Sequence, residues 1–477
     1  MTRECVCFLT SIAITAGLAL AQQTPAVISA TSSGNNGAAP NGIASTTSEL
    51  LFTQPYCPGQ QSRGVYSANI GAGTATELYP LPQVGTTCSE NYLTIATSEG
   101  GFTAGDTYAT GVSVANSANE AVYKNGSLFI DGIPASKHHA GITFDTAGTF
   151  GFNLIVTAEG SINGYNASGV LQFTYTAPAN YIFEGGTVAP LTYPLCPGCL
   201  FITGVLASNV NNATPSGAGA IFYVTPGTPS GSPVTLWSMM PDNAAEPEGT
   251  VFVGNNLSCS LGGYSYFVSG YANLSEIDTP NPTTGAILGY TPAQLSAYKG
   301  QLLVPVEGST ITTPTIYASS GPNQFTTFSQ PGYQLEGSTL LTCASGGCPA
   351  TFGYFKHFGL PGSMFVNGST SIGCQTYTAA QLAAVLTANN AGGNAVTILG
   401  HQLIAAIANY DAGAKQTAAA SAAISAALAL LCANHINLTS SFVAASSALG
   451  QQMTALANTL DAYNSSAPSC EGTGLTH

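Results

Sequence analysis

Three acidic residues stand in one local setting, each followed by glycine: Glu184-Gly-Gly-Thr-Val, Glu248-Gly-Thr-Val-Phe and Glu336-Gly-Ser-Thr-Leu. His139, ahead of Ala-Gly-Ile-Thr-Phe, opens the same series, whose members lie 45, 64 and 88 residues apart. Carboxylate oxygens are the donors that Ca2+ prefers, and an imidazole among them leans towards Zn2+. His139, Glu184, Glu248 and Glu336 are therefore the candidate ligands of a divalent metal, Ca or Zn. The same residues have a plainer reading. Glu-Gly is ordinary turn chemistry, with the carboxylate capping backbone amides, and His138-His139 beside Lys137 reads as a solvated loop. Cys196-Pro-Gly-Cys199 has redox spacing, but strand-like runs flank it where a redox pair needs a helix N-terminus, so a turn disulfide is expected. Cys343 and Cys348 flank a tight loop that suits a bridge. His401, central in an apolar helical run, reads as a core histidine. No nucleophile elbow, P-loop, HExxH or dinucleotide fingerprint is present, so no catalytic residue is assigned.

Residues so far apart can share one ion only if the chain returns repeatedly to a common centre. From about residue 50 to 343, short β-prone runs alternate with Gly, Pro, Asn and Asp. The clearest unit is Gly141-Ile-Thr-Phe, Asn153-Leu-Ile-Val-Thr, Ser161-Ile-Asn-Gly-Tyr and Val170-Leu-Gln-Phe-Thr. Four short strands joined by turns make one propeller blade. The expected fold is mainly β, a β-propeller of about six blades over 49–348, with two stacked sheets as the alternative. The 88-residue interval is too long for one blade and requires an insertion or a second blade. After Cys374 the texture changes to Ala, Leu and Gln at helical spacing. Thr378 with Gln381 has the form of a capping box, and helices are expected over 379–389, 396–410, 417–433 and 440–463. They make a small C-terminal α-helical bundle over 376–465. The 349–375 stretch reads as a linker or docking segment, where Lys356 and His357 would hold the parts together, and 466–477 reads as a tail.

The chain has 477 residues, with 7 Lys or Arg against 21 Asp or Glu and a net charge of −14. So few cations leave no footprint for a phosphate backbone, and nucleic acid is not an expected partner. A hydrophobic content of 45% argues against disorder. Residues 1–21 have the form of an export signal: Arg3, an apolar run, and Ala19-Leu20-Ala21 before Gln22. Residues 22–48, rich in Ser, Thr, Asn and Gly, read as a flexible leader. No later run is long and apolar enough for a transmembrane span. Removal of the signal leaves ten cysteines, an even number that suits disulfides in an exported chain. With few carboxylates to protonate, acid unfolding loses its usual drive, which suits an acidic or harsh extracellular setting; compositional drift in an exported protein is the plainer reading of the same scarcity.

Gly141-Ile-Thr-Phe-Asp through Glu159-Gly resembles NHL-repeat and gluconolactonase-like β-propellers, over roughly residues 50 to 345. In gluconolactonase-like propellers a Glu of a Glu-Gly motif and an Asn before Gly-Ile or Gly-Leu bind a divalent metal at the channel mouth. The resemblance implies the first role for Glu184, Glu248 and Glu336. His139 lies near the second, in His-Ala-Gly-Ile. Residues 353–465 resemble a C-terminal helical module of exported bacterial proteins. Its marks here are Gly353-Tyr354-Phe355-Lys356-His357, Gly400-His401-Gln402-Leu403-Ile404-Ala405-Ala406 and Leu460-Asp461-Ala-Tyr463-Asn464; it implies export and no activity.

The function expected is that of an exported, non-catalytic binding or scaffold protein, secreted or at the cell surface. Its propeller mouth would take a carbohydrate, peptide or protein ligand. A metal-dependent lactonase-like hydrolase and a self-associating surface-layer or matrix component are the alternatives.

Overall fold

A computed structural model describes residues 22–30, 40–54, 64–72, 74–82, 90–135, 140–193, 195–206, 219–241, 246–254, 256–271, 285–307, 313–341, 349–365, 368–389 and 392–466. The β-rich part is a six-bladed propeller of four-stranded antiparallel sheets. Blade one comprises β2 (Ile43–Ser45), β3 (Leu50–Thr53), β4 (Gly64–Asn69) and β5 (Thr74–Pro80). Blade two comprises β6 (Leu93–Ile95), β7 (Thr107–Val112), β8 (Asn119–Lys124) and β9 (Ser127–Pro134). Blade three, the unit clearest in the sequence, comprises β10 (Ala140–Phe144), β11 (Leu154–Ala158), β12 (Ser161–Tyr165) and β13 (Leu171–Thr176). Blade four comprises β14 (Tyr181–Val188), β15 (Leu200–Leu206), β16 (Ala220–Val224) and β17 (Thr235–Met239). The inner strand of each blade touches those of its two neighbours, which closes the ring and rules out stacked sheets.

The last two blades are interlaced. Blade five opens with β18 (Val251–Phe252), but the chain then leaves to form β19 (Tyr266–Tyr271) and β20 (Gly285–Tyr290), the middle of blade six. It returns through the one-turn helix α1 (Pro292–Leu295), capped by Thr291, to complete blade five. That sheet ends with β21 (Leu302–Val306), β22 (Thr315–Gly321) and β23 (Gln324–Ser329), and β24 (Gln334–Leu340) becomes the inner strand of blade six. The 88-residue interval between Glu248 and Glu336 thus holds one blade plus a hairpin of the next. The outermost strand of blade six is β1 (Ala26–Ala30), paired with β20. The reading of 22–48 as a flexible leader is corrected: its composition is loop-like, yet Ala26–Ala30 closes the ring and Ile43–Ser45 opens it.

Each blade is covered on both faces, so alternate residues of one strand enter different cores. Leu154 and Val156 pack towards blade two, Ile155 towards blade four. Phe267 and Ile287 face blade one, whereas Tyr266, Val268 and Leu288 face blade five. This two-sided burial is why the strands read as unbroken apolar runs and why the chain needs so little charge.

The C-terminal part consists of α2 (Phe352–Phe358), the hairpin β25 (Ser369–Ile372) and β26 (Gln375–Thr378), α3 (Ala379–Thr387), α4 (Ala395–Asp411), α5 (Ala418–Ala433) and α6 (Ala448–Asn464). Thr378 and Gln381 form both halves of the capping box that opens α3. Ser447 caps α6, so that helix starts later than the expected 440. Helix α4 is buried almost all round and forms the axis of the helical region. Asn464 donates to Gln402 O and Oε1 at 3.0 Å, and Asn409 donates to Asn464 Oδ1 at 3.0 Å and to Ala350 O at 2.8 Å. His401 stacks on Phe352 with ring centroids 5.0 Å apart, its Nε2 lying 2.9 Å from Val385 O. Burial holds its imidazole below the usual histidine range, as befits a core histidine. The helices share a continuous core with Ala147 and Phe150 of the loop after β10 and with blades three and four. Lys356 and His357 are exposed on α2 and do not supply that contact.

Disulfides join Cys196 to Cys199 and Cys374 to Cys432, and Cys259 is also disulfide-bonded. The first lies in the loop between β14 and β15, a turn as expected. Cys343 and Cys348 lie outside the described residues. Among the described residues no helix is long and apolar enough to cross a membrane.

Candidate metal centre

The Glu-Gly pairs are bulges in the inner strands. Between the pairs Phe183–Gly204 and Gly186–Ile202, β14 carries one residue more than β15, and Glu184-Gly185 lies in that stretch. The same excess holds Glu336-Gly337 between Leu335 and Ser338 of β24. In blade five, Pro247 pairs with Val306 and Val251 with Leu303, so Glu248-Gly249 occupies an equivalent excess. A bulge re-aims a side chain that regular pleating would send into an inter-blade core. The glycines are required by neighbours rather than by turn geometry. A Cβ on Gly185 would lie 2.7 Å from Gly249 Cα, and one on Gly141 would lie 2.0 Å from Glu184 O and 2.5 Å from Thr157 Oγ1. Gly141→Ala is expected to cost about 3 kcal/mol or more, because backbone must move to admit the methyl group. Chemical denaturation checks it, and an unchanged midpoint would contradict the packing described.

A hydroxyl on the second strand of a blade ties these bulges together. Thr203 Oγ1 accepts from Gly185 N at 3.0 Å in its own blade and lies 2.9 Å from Glu248 O in the next. Thr157 donates to Glu184 O at 2.5 Å, Thr53 to Asn91 O, and Ser269 to Asn41 O. In blade two, Thr110 Oγ1 accepts from Tyr92 N at 2.8 Å. The device fixes the backbone from which the axial side chains project.

The result is a buried acidic centre. Glu90, Glu184 and Glu248, from blades two, four and five, are all more than nine-tenths buried, and each offers a carboxylate oxygen within 4.8 Å of the others. Three ionised carboxylates at that spacing repel by roughly 3 kcal/mol per pair at an effective dielectric of ~20. The charges acting most on Glu248 are those of Glu184, Glu90 and Glu336. Burial first, then that repulsion, pushes Glu248 well above the usual carboxylate range, against a hydrogen bond from Tyr92 that lowers it. Tyr92 Oη donates to Glu248 and lies 3.3 Å from Glu90 Oε2. Burial, reinforced by the surrounding carboxylates, raises the phenol well above its ordinary value and keeps it a donor.

Of the four candidate ligands, Glu184 and Glu248 lie in the triad. Glu336 lies beside it, its Oε2 accepting from Asn41 Nδ2 at 3.0 Å, while Asn41 Oδ1 accepts from Asn91 N at 2.8 Å. His139 lies outside the described residues. Glu90 was not anticipated, because Asn91 follows it where the motif has glycine. Asn41 does carry a signal, since it stands directly before Gly42-Ile43, but it lies in the stretch whose composition reads as a leader. Glu246 and Glu307, also buried, complete the acidic residues grouped here.

No family model matches the chain, and no curated protein matches it. It is similar to the crystal structure of a protein of unknown function from Bacteroides caccae, at 13% identity, covering 63% of this chain and 85% of that chain with a TM-score of 0.29.

Proposed function

We propose that the protein is an exported, non-catalytic binding propeller whose axis holds a divalent cation, Ca2+ by preference over Zn2+. The observation that carries this reading is the buried triad of Glu90, Glu184 and Glu248, an all-oxygen donor set with oxygens within 4.8 Å of one another. Oxygen donors without sulfur suit a hard cation, and Ca2+ tolerates irregular carboxylate geometry better than Mg2+ does. Bound there, the ion would tie blades two, four and five and so fix the end of the ring on which a carbohydrate, peptide or protein ligand would sit. Equilibrium dialysis of EDTA-stripped protein against calcium chloride tests the reading. Glu184→Gln should weaken binding by about tenfold or more, and a wild type that binds no calcium overturns it.

A lactonase-type hydrolase is the second reading, supported by the resemblance around residues 141–159. Hydrolysis of a lactone by the calcium-loaded chain would establish it in place of the first. Self-association as a matrix component is read directly from the elution volume of the mature protein on gel filtration.

A further inference from the structure

Tyr92 precedes β6, and its ring belongs to the buried core shared by blades two and three. Its backbone is held on both sides by Thr110, whose Oγ1 accepts from Tyr92 N at 2.8 Å and whose N–H donates to Tyr92 O at 2.9 Å. The residue before it is pinned as well. Asn91 N donates to Asn41 Oδ1 at 2.8 Å, and Asn91 Nδ2 donates to Thr110 O at 2.9 Å. A buried ring on a backbone held at so many points keeps one orientation. From there Tyr92 Oη donates to Glu248 Oε2 and lies 3.3 Å from Glu90 Oε2. One phenol thus joins two of the three carboxylates, and joins blade two to blade five across the ring. Mutual repulsion favours carboxylates that turn away from one another, and a charge-assisted hydrogen bond opposes that turning. The donor is neutral, so it orients the carboxylates without cancelling the charge that attracts a cation. An ammonium or guanidinium in the same place would cancel it.

We infer that Tyr92 is a positioning residue of the cation centre: its phenol holds Glu90 and Glu248 in place in the cation-free protein, so that calcium enters a site already assembled. The inference rests on the reading of the axis as a calcium site and adds to it a residue that is not itself a ligand. Each carboxylate accepts at both of its oxygens, so the hydrogen bond and the ion can be served together. When calcium draws on the charge of Glu248, the carboxylate pulls less on the phenol proton, and the near-ultraviolet absorption of Tyr92 moves to shorter wavelength. Nothing in the sequence marks the residue, one of 22 tyrosines at the start of an ordinary β-prone run, Tyr92-Leu-Thr-Ile-Ala.

The test compares the full chain with Tyr92→Phe, both stripped with EDTA and titrated with calcium chloride alone. Tyr92→Phe should bind the same number of ions as the wild type, with an affinity lower by about tenfold or more. The wild type should give a tyrosine difference spectrum that saturates with the bound ion, and Tyr92→Phe should not. Should a thermal melt show that Tyr92→Phe does not fold, the wild-type spectrum still decides, because it needs no variant. Equal affinity in the two proteins, or a wild-type tyrosine spectrum that bound calcium leaves unchanged, overturns the role of Tyr92 and leaves the triad reading standing. A wild type that binds no calcium overturns both.

Discussion

Stripped of metal with EDTA and then given millimolar calcium chloride, the protein should melt about 5–10 °C higher, and Glu248→Gln should show little of that gain. A ligand present at about a thousandfold excess over its Kd stabilises the folded state by ~4 kcal/mol, and each kcal/mol moves the melting point of a domain this size by about 2 °C or somewhat less or more. The sign of the variant in EDTA is informative too. Without a cation, Glu248 is pressed by Glu184, Glu90 and Glu336, so replacing it by a neutral amide should raise the melting temperature of the metal-free protein. A Glu248→Gln protein that melts lower than wild type in EDTA and gains as much from calcium would contradict the axial reading. Differential scanning fluorimetry at fixed ionic strength separates this effect from general screening, with magnesium chloride as the control.

The metal-free protein should also be more stable at pH 4 than at pH 8, the reverse of the usual acid sensitivity. Glu248 and Glu307 have folded-state pKa values well above those of an unfolded carboxyl, burial being the largest cause in each. A carboxyl raised in this way binds its proton more tightly when folded. Its stabilising contribution is complete below the unfolded pKa and is lost as pH rises through the folded value. Asp145 acts in the same sense. It accepts backbone N–H groups from Gly148, Phe150 and Phe152 in the loop that packs on the helical region, and burial pushes it up to about 6. Its change of about two units from an unfolded value near 3.9 is worth about 3 kcal/mol between pH 4 and pH 7. Asp106, paired with Lys124 at 2.7 Å and lowered by it, works the other way, but as a half-buried pair at the surface it contributes little. The melting temperature in EDTA should therefore fall by about 5 °C from pH 4 to pH 8, and calcium should remove the fall by making the ionised axis favourable. A melting temperature that drops towards acid in EDTA would refute this account.

How far the sequence could be read depended on whether a feature repeats over several residues or only at one. Blade three was legible because its four β-prone runs follow one another in chain order, separated by stretches that carry Gly or Asn. The interlacing of blades five and six was not, since β18 is only two residues long and the hairpin β19–β20 carries the same β-prone texture as its neighbours. Thr53, Thr157, Thr203 and Ser269, which tie four of the blades to a carbonyl of the next, occur singly, and single hydroxyls in a Thr-rich chain make no visible pattern. The Glu-Gly pairs were visible, and two of the three chosen residues meet at the axis. Their glycines mark bulges and close backbone approach where turns were the plainer expectation. Glu90 was hidden because its blade places Asn91 where others place glycine. Asn41 was hidden by the loop-like composition of the chain around it.

The most direct test is a crystal of the protein soaked in calcium and measured at long wavelength. The account predicts an anomalous difference peak on the propeller axis, ringed by oxygens of Glu90, Glu184 and Glu248. A map with no peak there, or with calcium bound only at the outer edges of the blades, would contradict it.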